Sequence, residues 1–170
     1  PSTLPVFTGS VNFQDTNINV FSFPNGEELT SIVFSQGILT INIVNNLSHE
    51  VVLSISIPSL VNDQGNSYND NLIANANNSA VTQANLSNYN FDLTKGNNGY
   101  NDMVVYLDVT INGSGSPINV SDDLSFSFSM DNLEFEAIYG DLKYQQFDLG
   151  SVPLEIDIFK NSENAIDFLL

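Results

Sequence analysis

Apolar and polar residues alternate with a period of two along most of this chain. Leu124, Phe126, Phe128 and Met130 alternate with Ser125, Ser127 and Ser129. Leu39, Ile41 and Ile43 alternate with Thr40 and Asn42, and Val51, Leu53, Ile55 and Ile57 with Val52, Ser54 and Ser56. Val105, Leu107, Val109 and Ile111 alternate with Tyr106, Asp108 and Thr110, and Leu154, Ile156 and Ile158 with Glu155, Asp157 and Phe159. Successive side chains of a strand point to opposite faces, so each run predicts a half-buried strand with one face on a core. On this reading Ile41 and Phe128 face inward, and Asn42 and Ser127 face water.

Weaker strands are predicted at 6–13, 18–23, 30–36, 86–94 and 132–139. Asn and Gly clusters punctuate them at Asn25-Gly26, Asn45 to His49, Asn62 to Asn66, Asn97 to Gly99 and Asn112 to Gly115. Both residues tolerate the positive φ that tight turns need. The runs 38–43 and 51–57 flank Asn45 to His49 and predict a hairpin over 38–57, with Gly37 a bulge or kink before it. Over 69–85 the alternation fails, and Ala, Asn and Ser predict a short helix or irregular excursion. About ten short strands at regular spacing predict an all-β fold with little or no helix, an antiparallel β-sandwich of immunoglobulin-like form or a barrel. The expected organisation is one domain over 1–170. The apolar run at the end, from Ala165 to Leu170, reads as part of a longer polypeptide.

Charge changes the picture by exclusion. The 170 residues carry 20 Asp and Glu against 3 Lys and no Arg, a formal net charge of -17. Nucleic-acid binding needs a basic footprint, which Lys95, Lys143 and Lys160 cannot form. Without Arg, bidentate clamping of phosphate or carboxylate is excluded. Without Cys there is no disulfide, thiolate nucleophile or thiolate metal site. No apolar run approaches the ~20 residues of a transmembrane helix. Surface polarity comes instead from 25 Asn and 20 Ser, a composition similar to secreted and surface-exposed β-proteins.

Candidate chemistry is thin. His49 is the sole histidine; beside Glu50 in a turn, it reads as a solvated loop residue rather than a base. Glu134 and Glu136 share one strand face opposite Leu133 and Phe135, while Asp122-Asp123 and Glu27-Glu28 sit at turns. A glycosidase would need two such acids flanking a cleft, with sugar-stacking platforms, and the chain has no Trp. An acidic, solvated sheet face is the favoured reading. Asn62 to Asn66 and Asn97 to Asp102 offer oxygen ligands for calcium but lack the EF-hand spacing and make equally good turns. Five Asn-x-Ser sequons, at Asn46, Asn77, Asn85, Asn112 and Asn119, are about the number that chance supplies. Phe21, Phe23, Phe126 and Phe128 read as core, although an apolar ligand cavity would be lined in the same way.

The stretch from Ile38 to Leu47, followed by Val51 to Ile57 and Pro58, resembles the water-stress (WHy) β-sandwich of late-embryogenesis-abundant proteins. The segment from Leu124 to Phe159, with Leu133 to Gly140 and Ile156 to Phe159, is similar to uncharacterised envelope lipoproteins and surface proteins of Bacteroidota. The resemblance implies an extracytoplasmic β-protein and supplies no catalytic residue; because the chain starts at Pro1, any lipid anchor lies outside it.

With no nucleophile–base–acid set visible, the expectation is a non-enzymatic structural or interaction module of a secreted or cell-surface protein or assembly. No catalytic, cofactor or metal residue is assigned. Its partners would be other protein chains, either copies of itself or envelope proteins. An apolar-ligand or lipid-binding protein and a calcium-dependent carbohydrate-binding or adhesive module are the alternatives.

Overall fold

The computed structural model describes residues 6–119 and 121–143. The strand expected at 154–158 lies outside the described residues. The described chain is all β: β1 (Ser10–Val20), β2 (Glu28–Asn45), β3 (Glu50–Asn62), β4 (Ser67–Ala74), β5 (Asn78–Asn85), β6 (Tyr89–Asp92), β7 (Asp102–Asn112) and β8 (Leu124–Asp141), with a single 3-10 turn at Leu86–Asn88. Every ladder between these strands is antiparallel.

The strands form a sandwich. One layer runs β1-β7-β3-β4 and the other β5-β2-β8. The short strand β6 pairs with both layers, through Leu60 to Asn62 of β3 and Ser31 to Val33 of β2, and so ties them together along one side. The core lies between the layers. Leu39, Ile41 and Ile43 of β2 are buried, as are Val51, Leu53, Ile55 and Ile57 of β3, with Leu60, Leu86, Leu93 and Val105. Burying each such side chain is worth about 1.5–3 kcal/mol, and this is what holds a cysteine-free domain together.

Several expectations are corrected. The runs 38–43 and 51–57 are both strands, but they do not form a hairpin. β2 pairs with β5, β6 and β8, and β3 with β4, β6 and β7, so Asn45 to His49 arches from one layer to the other. Alternation states which side chains face the core; it is the same whether two strands lie side by side or face to face. The segment 69–85 is neither helical nor irregular. It belongs mostly to β4 and β5, turning at Asn77 with φ 52° and again changing layers. Its pattern is faint because the outward positions dominate: only Tyr68, Leu72 and Ala74 of β4 are buried apolar residues. The predicted pairs 6–13 and 18–23, 30–36 and 38–43, and 124–130 and 132–139 merge into the long strands β1, β2 and β8.

Gly37 marks an irregularity, as expected. The β2–β8 register shifts three times between Val33 and Ile38, and a Cβ on Gly37 would come within 2.8 Å of Leu133 Cδ2. Ile41 is buried as expected, but Phe128 is not: it is 41% exposed. The cause is position in the sheet. Among the described residues β8 pairs only with β2, so its apolar row has cover on one side alone.

Candidate functional site: the open side of the sandwich

The expected site residues serve the fold. His49 is fully buried, not solvated. Its Nδ1 accepts the Ser114 backbone N–H at 3.0 Å, and the ring meets Phe7 edge to face with centroids 5.5 Å apart. An Nδ1 that accepts puts the ring proton on Nε2, and Nε2 is buried without a hydrogen-bond partner. Asp122 accepts the Asn119 N–H at 2.9 Å, and Asp123 accepts from Asn46 Nδ2 at 2.8 Å, so both acids brace turns. Glu28 pairs with Lys143 Nζ at 3.2 Å. Glu134 and Glu136 lie exposed on β8.

The two oxygen-rich segments are turns whose side chains are already engaged. Asn62 Oδ1 accepts the backbone N–H groups of Gln64 and Asn66 at 3.1 and 2.9 Å. Asp102 is fully buried and takes both the backbone and side-chain N–H groups of Asn98. Among the described residues no three His, Cys, Asp or Glu side chains gather around a common point. Both described lysines are paired, Lys95 with Asp92 and Lys143 with Asp141 and Glu28. The hydrogen bonds that Asp92 accepts from Thr94 and Lys95 outweigh its partial burial and hold its carboxyl below the usual range.

Residues that composition could not single out matter more. Asn45 is fully buried, and its amide nitrogen donates to the carbonyls of His49, Ala74 and Asn75 at 2.7, 3.0 and 2.9 Å. Its Oδ1 accepts the Leu47 N–H at 2.9 Å. One side chain thus ties the β2–β3 arch to the β4–β5 turn. Nothing in the sequence distinguishes it from the other 24 asparagines.

The feature with the form of a binding surface lies on the side of the sandwich where β1 and β8 run. There β1 and β8 are the rim strands of the two layers, and no ladder joins them among the described residues. Two apolar pockets lie along β8 and together make up the slot. At one end Phe13 of β1, Leu107, Val109 and Ile111 of β7, and Leu124 and Phe126 of β8 surround about 320 Å³. At the other, Phe128, Met130, Leu133 and Phe135 of β8 face Phe21, Phe34, Phe91 and Met103 around about 280 Å³. Aromatic contacts build its floor: Phe34 lies 5.9 Å from Phe135 and 6.0 Å from Phe91, and Phe21 lies 5.9 Å from Phe91. Large apolar side chains are left half in water along the strand, with Phe126 41% and Phe135 49% exposed. The expectation that Phe21, Phe126 and Phe128 are core is therefore met only in part.

The backbone completes the surface. An outer strand with a free edge carries unpaired N–H and C=O groups. Among the described residues no strand pairs with the outer edge of β8, a strand of 18 residues. Asn132, at φ 54°, interrupts it, and Asp131, Glu134 and Glu136 give its second half negative charge. The first half, Leu124 to Met130, has only Ser125, Ser127 and Ser129 on its other face.

The fold defines this chain as an all-β, antiparallel sandwich protein. No family model matches it, and no curated protein matches it. Among solved structures it is similar to a chain titled desmodium yellow mottle tymovirus, with 9% identity over 71% of this chain and 97% of that one. The TM-score of 0.21 is too low to carry an argument. Among the described residues no helix is long and apolar enough to cross a membrane.

Proposed function

We propose that this protein is a non-enzymatic interaction module that accepts an extended strand of another polypeptide along the β1–β8 side. The observation that carries the reading is the slot: two apolar pockets beside the edge of β8 that no described strand pairs. Main-chain hydrogen bonds to such an edge supply affinity, and apolar pockets beneath alternate side chains supply specificity. A strand has the form to use both at once.

A lipid or other apolar ligand would use only the pockets. At about 320 and 280 Å³ one pocket sits at, and the other just below, the small end of ligand cavities, which run roughly 300–1,000 Å³. Two pockets spaced along one strand suit the alternate side chains of a peptide strand. Export to the periplasm or cell surface is part of the proposal, supported by the Asn- and Ser-rich composition and by the resemblance to envelope proteins.

A photoreactive residue in place of Phe128 tests the reading in the native source. One partner, crosslinked through an apolar-alternating segment whose deletion abolishes capture, is the expected result. Protein that remains uncrosslinked, and a Phe128→Glu variant that retains every native association, would refute it.

A further inference from the structure

We propose a second binding surface, independent of the slot: the outer face of the β1-β7-β3-β4 layer takes a chain of uncharged sugars, stacked on Tyr106 and hydrogen-bonded to Asp108. Two cross-strand rows build it. Gln14, Asp108, Ser54 and Asn71 stand in register across the four strands, and so, two residues along, do Thr16, Tyr106, Ser56 and Asn69. Cross-strand partners share a face. This face is turned from the core, since the alternate residues Leu53, Ile55, Val105 and Val109 are the buried ones. The short Ser54 and Ser56 floor a trough of about 430 Å³, with Tyr106 and Asp108 of β7 on one side and Asn69 and Asn71 of β4 on the other. Its volume falls within the roughly 300–1,000 Å³ of ligand sites.

Asp108 is fixed in place as an acceptor. Gln14 Nε2 donates to its Oδ2 at 2.7 Å and Asn12 Nδ2 to its Oδ1, and Asn12 also donates to Thr110 Oγ1 at 3.0 Å. The bonds from Gln14 and Asn12 hold the carboxyl below the usual carboxylate range. An ionised carboxylate has about four lone-pair sites. The two amides take two of them, and two remain for adjacent hydroxyls of one sugar. Tyr106 is 47% exposed and lies about 7 Å along the same strand face. The apolar C–H face of a sugar ring packs on an aromatic face, so one ring stacks on Tyr106 while its neighbour meets Asp108.

The lining selects the class of ligand. Thr16, Ser54, Ser56, Asn69 and Asn71 carry hydroxyl and amide groups, which both give and accept hydrogen bonds as sugar hydroxyls do. An anionic ligand finds no cation here among the described residues: Lys95 and Lys143 pair with acids elsewhere, and neither lines the trough. A cation would need converging carboxylates. Asp15 and Asp70, the other acids of the lining, already accept the N–H groups of Thr16 and Asn71 at 2.9 and 2.8 Å, and no three acids converge among the described residues. An apolar ligand would strip water from the polar rows without replacing its hydrogen bonds.

Calorimetric titration of the full chain with cello-, malto- and manno-oligosaccharides tests this, with galacturonan oligosaccharides and spermine as the anionic and cationic comparisons. At least one neutral oligosaccharide should bind with a Kd of about millimolar or tighter. Tyr106→Ala and Asp108→Asn should each weaken that binding about tenfold or more, while Tyr106→Phe keeps the ring and should retain it. Should Tyr106→Ala fail to fold in urea titrations, Asn71→Ala replaces an exposed residue on the facing wall and should weaken binding about threefold or more. Phe128→Glu, in the slot, should leave sugar binding unchanged, so this surface and the strand acceptor stand or fall separately. No binding of any of the three neutral series at about millimolar concentration overturns the proposal. Binding that survives the loss of Tyr106 in a folded variant overturns it too. Binding of spermine alone, lost in Asp108→Asn, overturns it in favour of a cation site.

Discussion

Replacing Asn45 with Ala removes a hydrogen-bonding node from the closed end of the sandwich. The amide's two N–H groups are shared among the carbonyls of His49, Ala74 and Asn75, and its oxygen holds the Leu47 N–H. His49, Ala74 and Leu47 are buried, while Asn75 is exposed and its carbonyl can turn to water. Three buried backbone groups are therefore stranded, each costing about 1–3 kcal/mol. Water entering the space left by the side chain recovers part of this, leaving an expected loss of about 3–5 kcal/mol. Domains are stable by only about 5–15 kcal/mol, so the variant should be marginal. Urea unfolding measures the loss directly, with Asn46→Ala as the comparison. Asn46 is exposed and donates to the Asp123 carboxylate, so its loss should cost less than about 1 kcal/mol. Asn45→Asp should be worse than Asn45→Ala, because it sets a carboxylate against three carbonyl oxygens. Equal unfolding midpoints for Asn45→Ala and Asn46→Ala would refute the reasoning.

Other substitutions separate the layers of the argument. Ile41→Asp places a charge in the core and should abolish cooperative unfolding, whereas Asn42→Asp should shift the urea midpoint little; equal effects would contradict the facing of β2. Phe128→Glu should leave the domain folded by near-ultraviolet circular dichroism, because Phe128 is half exposed; global unfolding would show that the slot is core. Gly140 has φ 142°, and a Cβ there would strike the Glu28 carbonyl oxygen and come within 2.7 Å of Leu29 Cα, so Gly140→Ala should cost about 1–3 kcal/mol and increase hydrogen exchange at the end of β8. Burial, the nearby Asp70 charge and the hydrogen bond to its carboxylate raise the Tyr68 hydroxyl well above its ordinary value. Its folded-state pKa therefore exceeds the unfolded one, and the stability is fully present below about pH 10 and falls as pH rises beyond it. Tyr68→Phe should lessen that alkaline loss in urea titrations at pH 9 to 11, and an unchanged slope would count against it.

The sequence by itself determined the class of fold and the faces of most strands. Alternation at Leu39–Ile43, Val51–Ile57 and Val105–Ile111 is a property of each strand alone, because a pleated backbone sends neighbouring side chains to opposite sides whatever lies beside it. Neighbours belong to the tertiary structure. An identical pattern served β2 and β3 as facing layers, where a hairpin was the simpler expectation. It also served β8, whose Phe126 and Phe128 alternate as regularly as Ile41 and Ile43 but lie at a rim with cover on one side only. The slot was therefore legible as a set of apolar residues and illegible as a surface. Asn45 and His49 show the same limit for polar groups. Their burial follows from the packing of the β2–β3 arch against Ala74, Asn75 and Ser114, residues about 25 to 70 positions away in the chain, and only folding brings such distant backbone groups within hydrogen-bonding reach.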